Sequence, residues 1–478
     1  MNLFKLSKIV MGMLLLNVAM AVGDYHDCGI IAYMEPASET CSVRCVAPDL
    51  VSEDLVGKCP YLQKYYGYGD GISTAIDGVS LSSLPIPTAE FQRLISDAED
   101  GDTIILPGGH YTENNISIDK NLTVYGDGYV VVDGRGKGII LNIEEDNPNA
   151  NVTFESINFI NRYSSEKDYS SKGGAIINNG SLTMTRCLIF NSTANSGAGI
   201  SNRGTLTLEN CEFRDNGASD RGGAIHNDNG TLSMKECILS SNCGYGSALY
   251  AVNGHVVLKD CEFKENEGGA GILIDGGSLQ LDNCSIHDNH GRCFGGGIMA
   301  VGDLTINGGA IFNNTAVYGG GIHVYGGSHT FNQVAIHDNK ATLGGGGICS
   351  HLSTIILNRV SLEGNSAKQG GAIYNYYSEM GARENTNISN NTASLGGGVY
   401  NNESSNLELS DQTVLIGNNA DKGAGIYNVK GSRLKIKGKS NLIQNMAEDK
   451  GGAIYNEGLM SLKGGSIAEN IPDNIYNP

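Results

Sequence analysis

From residue 173 onward, apolar and polar positions alternate in short runs that come back at a nearly constant interval. A convenient landmark is the series Cys187, Cys211, Cys237, Cys261 and Cys284, continued by Gly309, Val334, Val360 and Thr386. Three residues before it stand Met184, Leu208, Met234, Leu258, Leu281, Ile306, Phe331 and Leu357, with Arg383 where the column would continue. Two residues after it stand Ile189, Phe213, Leu239, Phe263, Ile286, Ile311, Ile336, Leu362 and Ile388. Positions between are mostly polar, among them Thr183, Thr207, Ser233, Lys264 and His287. A local period of two predicts short strands with one buried face, three to a repeat, and leaves no room for an amphipathic helix inside the repeat.

The longer period is set by the phrase Gly173-Gly174-Ala175-Ile176 and its echoes. Its fourth residue recurs as Ile176, Ile200, Ile225, Leu249, Ile272, Ile298, Ile322, Ile348, Ile373, Val399, Ile426 and Ile454, in steps of 23 to 28 residues. Units of this size cannot bury their apolar faces alone, so they stack. The expectation is an all-β fold, a single-stranded parallel β-helix of twelve or more coils. Like residues then lie ~4.8 Å apart along the axis, and twelve coils span roughly 60 Å.

Five residues after the landmark the chain reads Asn216, Asn242, Asn266, Asn289, Asn314, Asn339, Asn365 and Asn391, with the slot returning at Asn445 and Asn470. An amide donates and accepts, and Asn tolerates left-handed backbone. The series therefore predicts a ladder in which each side chain bonds its copies above and below.

Ahead of the repeats, Lys5 and Lys8, the apolar run from Ile9 to Val18 and Ala19-Met20-Ala21 read as a secretory signal over residues 1–21. Residues 22–85 lack the repeat and carry Cys28, Cys41, Cys45 and Cys59, which allow three disulfide pairings. Residues 86–172 begin with Phe91, Leu94, Ile95 and Ala98 at helical spacing behind Thr88, an N-cap candidate. Such a helix would cover the open end of the first coil, and residues 173–478 form the repetitive part.

The helix, Gly101-Asp102-Thr103-Ile104, the Pro107-Gly108 turn and Val132-Asp133-Gly134 together resemble the N-terminal cap of the pectin-lyase-like right-handed parallel β-helix superfamily. The Gly-Gly-Ala-Ile phrases, with Phe213-Arg214-Asp215-Asn216 and Phe263-Lys264-Glu265-Asn266, resemble the GGAI and FxxN repeats of chlamydial polymorphic membrane proteins. They are equally similar to adhesin-like surface proteins of methanogenic archaea and gut bacteria. The resemblance covers roughly residues 88–478. It implies a right-handed helix and a secreted or cell-surface, adhesin-like role; no autotransporter barrel is expected in this chain. It equally implies a second reading, since enzymes of the same fold are polysaccharide lyases and glycosidases that cluster Asp, His and basic residues on one outer face.

Against that second reading, few residues converge. His287-Asp288 and His337-Asp338 fall at equivalent places two coils apart, and are the catalytic candidates. A spacing of ~10 Å suits a substrate held between two carboxylates better than a shared metal. The binding candidates are Tyr374, Tyr400, Tyr427 and Tyr455, each one place after the phrase and expected to point outward as an aromatic stripe for sugar rings or a protein. Tyr250, His226 and His323 precede them in that column.

The five landmark cysteines are expected to be buried thiols acting as small apolar fillers, while Cys243 and Cys293 lie in loops where they could pair. Neither a cofactor nor a metal centre is expected. The 67 glycines and the absence of Trp suit stacked turns, and a net charge of -19 disfavours nucleic acid and anionic membrane surfaces as partners. Glycans and cell-surface proteins are the expected partners, and no membrane-spanning segment is read after the signal.

Overall fold

The computed structural model describes residues 75–87, 90–136, 138–143, 150–161, 173–244 and 248–478. The signal segment, the four N-terminal cysteines and Thr88 lie outside these residues. The described residues belong to one compact unit, built as a right-handed parallel β-helix of about 14 turns.

The repeating phrase marks the register throughout. Ile176 pairs in parallel with Ile200, Ile200 with Ile225, Ile225 with Leu249, and so on to Ile426 with Ile454. One coil shows the plan: strands Ile322–Tyr325, Ser328–Asn332 and Ala335–His337 are followed by a further strand, Lys340–Gly344. The first three carry the alternating apolar columns into one continuous core. Burying several large side chains per coil, at ~25 cal/mol per Å² of apolar surface, is the main stabilising term.

The fourth strand is absent from the alternation reading. It forms separate sheets running from Thr193–Ser196 to Lys340–Gly344 and from Thr392–Leu395 to Met446–Lys450. Its only sequence signal is an alanine two residues after the ladder Asn, as in Ala218, Ala316, Ala341 and Ala420.

The phrase itself has a steric cause. Its first glycine turns the chain with positive φ, 63° at Gly370, where a side chain would be strained. A Cβ on the second, Gly371, would sit 2.3 Å from the Gly397 carbonyl of the next coil. Successive coils therefore touch backbone to backbone there.

The asparagine ladder is continuous from Asn216 to Asn470, and Asn418 fills the slot between Asn391 and Asn445. A typical rung donates three bonds. Asn314 donates from Nδ2 to the Asn339 Oδ1 at 3.0 Å and to the Ile286 carbonyl at 2.9 Å, and its backbone N–H reaches the same Oδ1 at 3.0 Å. A second ladder, two residues after the phrase, links Asn178, Asn202 and Asn227 and then Asn375, Asn401, Asn428 and Asn456 at 2.6 to 2.8 Å.

The apolar column does not break at Arg383. Leu357 pairs with Ala382 and Asn358 with Arg383. This coil carries one extra residue in its turn, where Glu384 and Asn385 both have positive φ. Arg383 therefore points outward and donates from Nε to Asn358 at 2.7 Å.

At the N-terminal end lies helix α1, Phe91–Asp97. Its capping residue is Glu90, which makes no side-chain cap bond; the Glu113 carboxylate instead accepts from the Phe91 and Gln92 N–H groups at 2.6 and 2.9 Å. Phe91 and Ile95 are fully buried in the core, with Leu94 and Ala98 packed against it.

The five landmark cysteines are buried and carry no disulfide. Their thiols donate to carbonyls two residues back, 3.2 Å at Cys261. Cys243 is disulfide-bonded and Cys293 is not, so these two do not pair.

Candidate functional site

The third strand of each coil presents an outer column in which the two His-Asp pairs stand. The His287 ring stacks on Phe312 with centroids 4.6 Å apart, and Phe312 stacks on His337 at 4.9 Å, the planes within 6° of parallel. His287 is held between two carboxylates, Nδ1 with Asp288 at 2.7 Å and Nε2 with Glu262 at 3.0 Å. His337 Nδ1 meets Asp338 at 2.9 Å. Each Asp thus bonds its own neighbouring His. Both Asp residues have positive φ, 54° and 55°, in the turn slot before the ladder Asn. That slot holds Asp215, Glu265 and Asn313 in other coils, also at positive φ, so turn geometry accounts for the residue type.

The tyrosines form one column in perfect register, from Cys349 through Tyr374, Tyr400, Tyr427 and Tyr455 to Tyr476. Three of the four tyrosines expected to point into solvent are buried, and Tyr427 is half-buried. Tyr374 is 3 % exposed and Tyr400 and Tyr455 8 % each. Ring centroids lie 5.6, 5.2, 4.7 and 5.2 Å apart in successive pairs. The flat faces are consumed by one another, while Tyr318, Leu395 and Val429 pack along the column. A sugar ring binds an aromatic by lying on its face; within this column that face is taken. Hydroxyls are engaged too: Tyr374 accepts from Asn402 at 2.8 Å and Tyr427 donates to Glu457 at 3.1 Å.

An open groove of about 510 Å³ runs over the second strands of five consecutive coils. Five strands place its ends roughly 19 Å apart. Outward along it come Ile356, Gly381, Glu408, Lys435 and Ser461 in one register line. Gly381 makes a notch: a Cβ there would meet nothing within 4 Å. Beside it Glu379 and Arg433 are exposed, and Lys435 pairs with Glu408 at 2.7 Å. Lys435 and Lys437 hold the Glu408 carboxyl below the usual range. The alternation along the chain carries no signal for this groove, since one missing side chain creates the notch.

A fourth grouping joins Tyr250 and His226 of the outer column to Asp275 and Arg221, which no sequence pattern singled out. On the outer side of the first strands, the Tyr250 hydroxyl donates to Asp275 at 3.0 Å, the Arg221 guanidinium lies 5.2 Å from the Tyr250 ring centre and the His226 ring 5.6 Å away. Burial raises the Asp275 pKa and, with the Asp275 charge, that of Tyr250. Tyr250 is fully buried. Among the described residues, no group of three or more His, Cys, Asp and Glu side chains is placed to hold a metal, and no helix is long and apolar enough to cross a membrane.

A family profile described as the right handed beta helix region matches residues 146–315, and one described as the Chlamydia polymorphic membrane protein repeat matches residues 359–376. The chain has the right-handed β-helix fold, and residues 359–376 are similar to the polymorphic membrane protein repeat. In this β-helix the matched repeat is a physical unit, holding the turn before the ladder residue Asn365, the glycine pair Gly370-Gly371 and the strand that begins at Ile373. Among solved structures the β-helix is similar to the A-module of the mannuronan C-5 epimerase AlgE4 from Azotobacter vinelandii. Identity is 14 %, 84 % of this chain and 99 % of that one are covered, and the TM-score is 0.37. No curated protein matches the chain.

Proposed function

We propose that this β-helix is a secreted or surface-displayed, adhesin-like binding rod, and that the groove beside Gly381 is where it takes its partner. The groove carries the reading. It is the described surface that combines an empty notch with charges of both signs on its walls, the composition of a recognition surface rather than of a reaction centre. No aromatic side chain lines it, which favours a protein partner over a glycan. An apolar side chain would enter the notch, with basic and acidic neighbours facing Glu379 and Arg433.

The test is binding of the labelled chain to a glycan array and to intact cells, before and after protease treatment of the cells. Protease-sensitive binding that is lost in Gly381→Leu and Glu379→Lys and kept in Tyr400→Phe supports the reading. Equal binding by wild type and both groove variants would reject it.

The Tyr250, Asp275, Arg221 and His226 grouping supports a second reading, a polysaccharide-active lyase or glycosidase. Its burial speaks against access by a polymer. Turnover of a polyuronate that disappears in Tyr250→Phe would establish it, and turnover lost instead in Asp288→Asn would move the chemistry to the His-Asp column.

A further inference from the structure

Upstream of the tyrosines the same outer column changes character. Three consecutive coils bring Met299, His323 and Cys349 side by side in register, with Leu273 before them and Tyr374 after. All three are buried, at 7, 3 and 3 % exposure, outside the main core. Cys349 carries no disulfide. The His323 Nδ1 is buried and has no hydrogen-bond partner. Phe294 packs its ring against His323 edge to face at 4.6 Å and keeps water from that side. Buried imidazole nitrogens are normally satisfied, and here the flanking side chains offer sulfur rather than oxygen.

We propose that Met299, His323 and Cys349 form a binding site for one soft monovalent metal ion, copper(I). Strand spacing of ~4.8 Å sets a thioether on one side of the imidazole and a thiol on the other. Thioether, thiolate and imidazole are the donors that copper(I) prefers, whereas calcium and magnesium require oxygen ligands and structural zinc four tetrahedral ones. No carboxylate stands in the column between Leu273 and Tyr374.

Charge balance points the same way. Binding takes the proton from the Cys349 thiol and releases it to solvent as the sulfur–copper bond forms, with no change of oxidation state. One thiolate and one monovalent cation leave the site neutral, which is the condition for holding an ion in a buried place. A divalent ion would leave a net positive charge there.

The experiment is anaerobic titration of the full chain with copper(I) in competition with a chromogenic chelator, with silver(I) as a redox-inert check. Other thiols add a background, so the reading is a difference. Wild type is expected to bind one more equivalent than Cys349→Ser, and His323→Gln and Met299→Leu to hold that equivalent at least tenfold more weakly. X-ray absorption of wild type loaded with one equivalent is expected to show nitrogen and sulfur together in the first shell. Equal stoichiometry in wild type and Cys349→Ser would overturn the proposal. So would a sulfur-only shell, which decides the matter even if the Cys349 variant does not fold.

Discussion

The rings of Tyr427 and Tyr455 lie 4.7 Å apart and within 15° of parallel, and the ammonium of Lys422 sits 5.7 Å from the centre of the Tyr455 ring. Each face is thus occupied by another part of the same molecule. Replacing Tyr400 by Ala, which removes a ring packed between Tyr374 and Tyr427, is expected to cost about 3 kcal/mol in denaturant unfolding. Glycan-array signals should not change. A selective loss of glycan binding with stability intact would show that the column is a ligand platform.

The asparagine ladder invites a harsher test. Substituting Asn339 by Ala leaves the backbone N–H and the Nδ2 of Asn314 without their shared acceptor and the Ile311 carbonyl without its 2.8 Å donor. Orphaning buried groups costs about 1–3 kcal/mol each, so the midpoint of urea unfolding is expected to fall well below that of an exposed Asn variant such as Asn419→Ala. A shift no larger than the surface control would mean that the coils are held by their apolar columns alone.

Glycines at different places should answer oppositely. Gly371→Ala forces a Cβ to within 2.3 Å of a neighbouring carbonyl and is expected to destabilise strongly. Gly381→Val points its side chain into open space on a strand and is expected to stabilise by about 0.5 kcal/mol while filling the groove. Thermal unfolding of the pair checks both, and a destabilised Gly381→Val would contradict the notch.

Acid should loosen the metal-free protein through its buried histidines. Desolvation holds His323 neutral down to about 3, with the nearby His351 adding to the shift, and His351 itself down to about 4; His329 is lowered as well, again chiefly by burial. Unfolded, each would take a proton near the ordinary histidine value of ~6.5. The folded state therefore binds fewer protons in this window, and stability present above about 6.5 is lost as pH falls toward 4 and 3. His329→Leu, in the interior beside Leu304 and Ile355, is expected to flatten part of that decline. Melting temperatures from pH 7 to 4 measure it, and parallel curves for variant and wild type would refute the assignment.

Register was readable because it is a one-dimensional property: every residue of the repeated phrase found its counterpart one coil away. Both apolar columns and the first ladder followed from the same fact. Arg383 was misplaced because a single inserted residue moves the landmark without moving the strand, and only turn geometry at Glu384 and Asn385 reveals that. Tyrosine burial was illegible for another reason. Alternation tells which side of a strand a residue takes, not what lies over that side, and Tyr318 and Leu395 come from the fourth strands, one of four residues each and without alternation of their own. Pairings such as Tyr250 with Asp275 join positions that no local spacing singles out.

Each rung of the asparagine spine asks the next for an identical acceptor at an identical height, so any two rungs are interchangeable partners. Excising the stretch between two of them would leave ends that still fit, and duplicating it would add a rung without redesigning a core. Recombination between such look-alike segments can then shorten or lengthen the chain one turn at a time, which makes reach a heritable quantity adjustable in increments of ~4.8 Å.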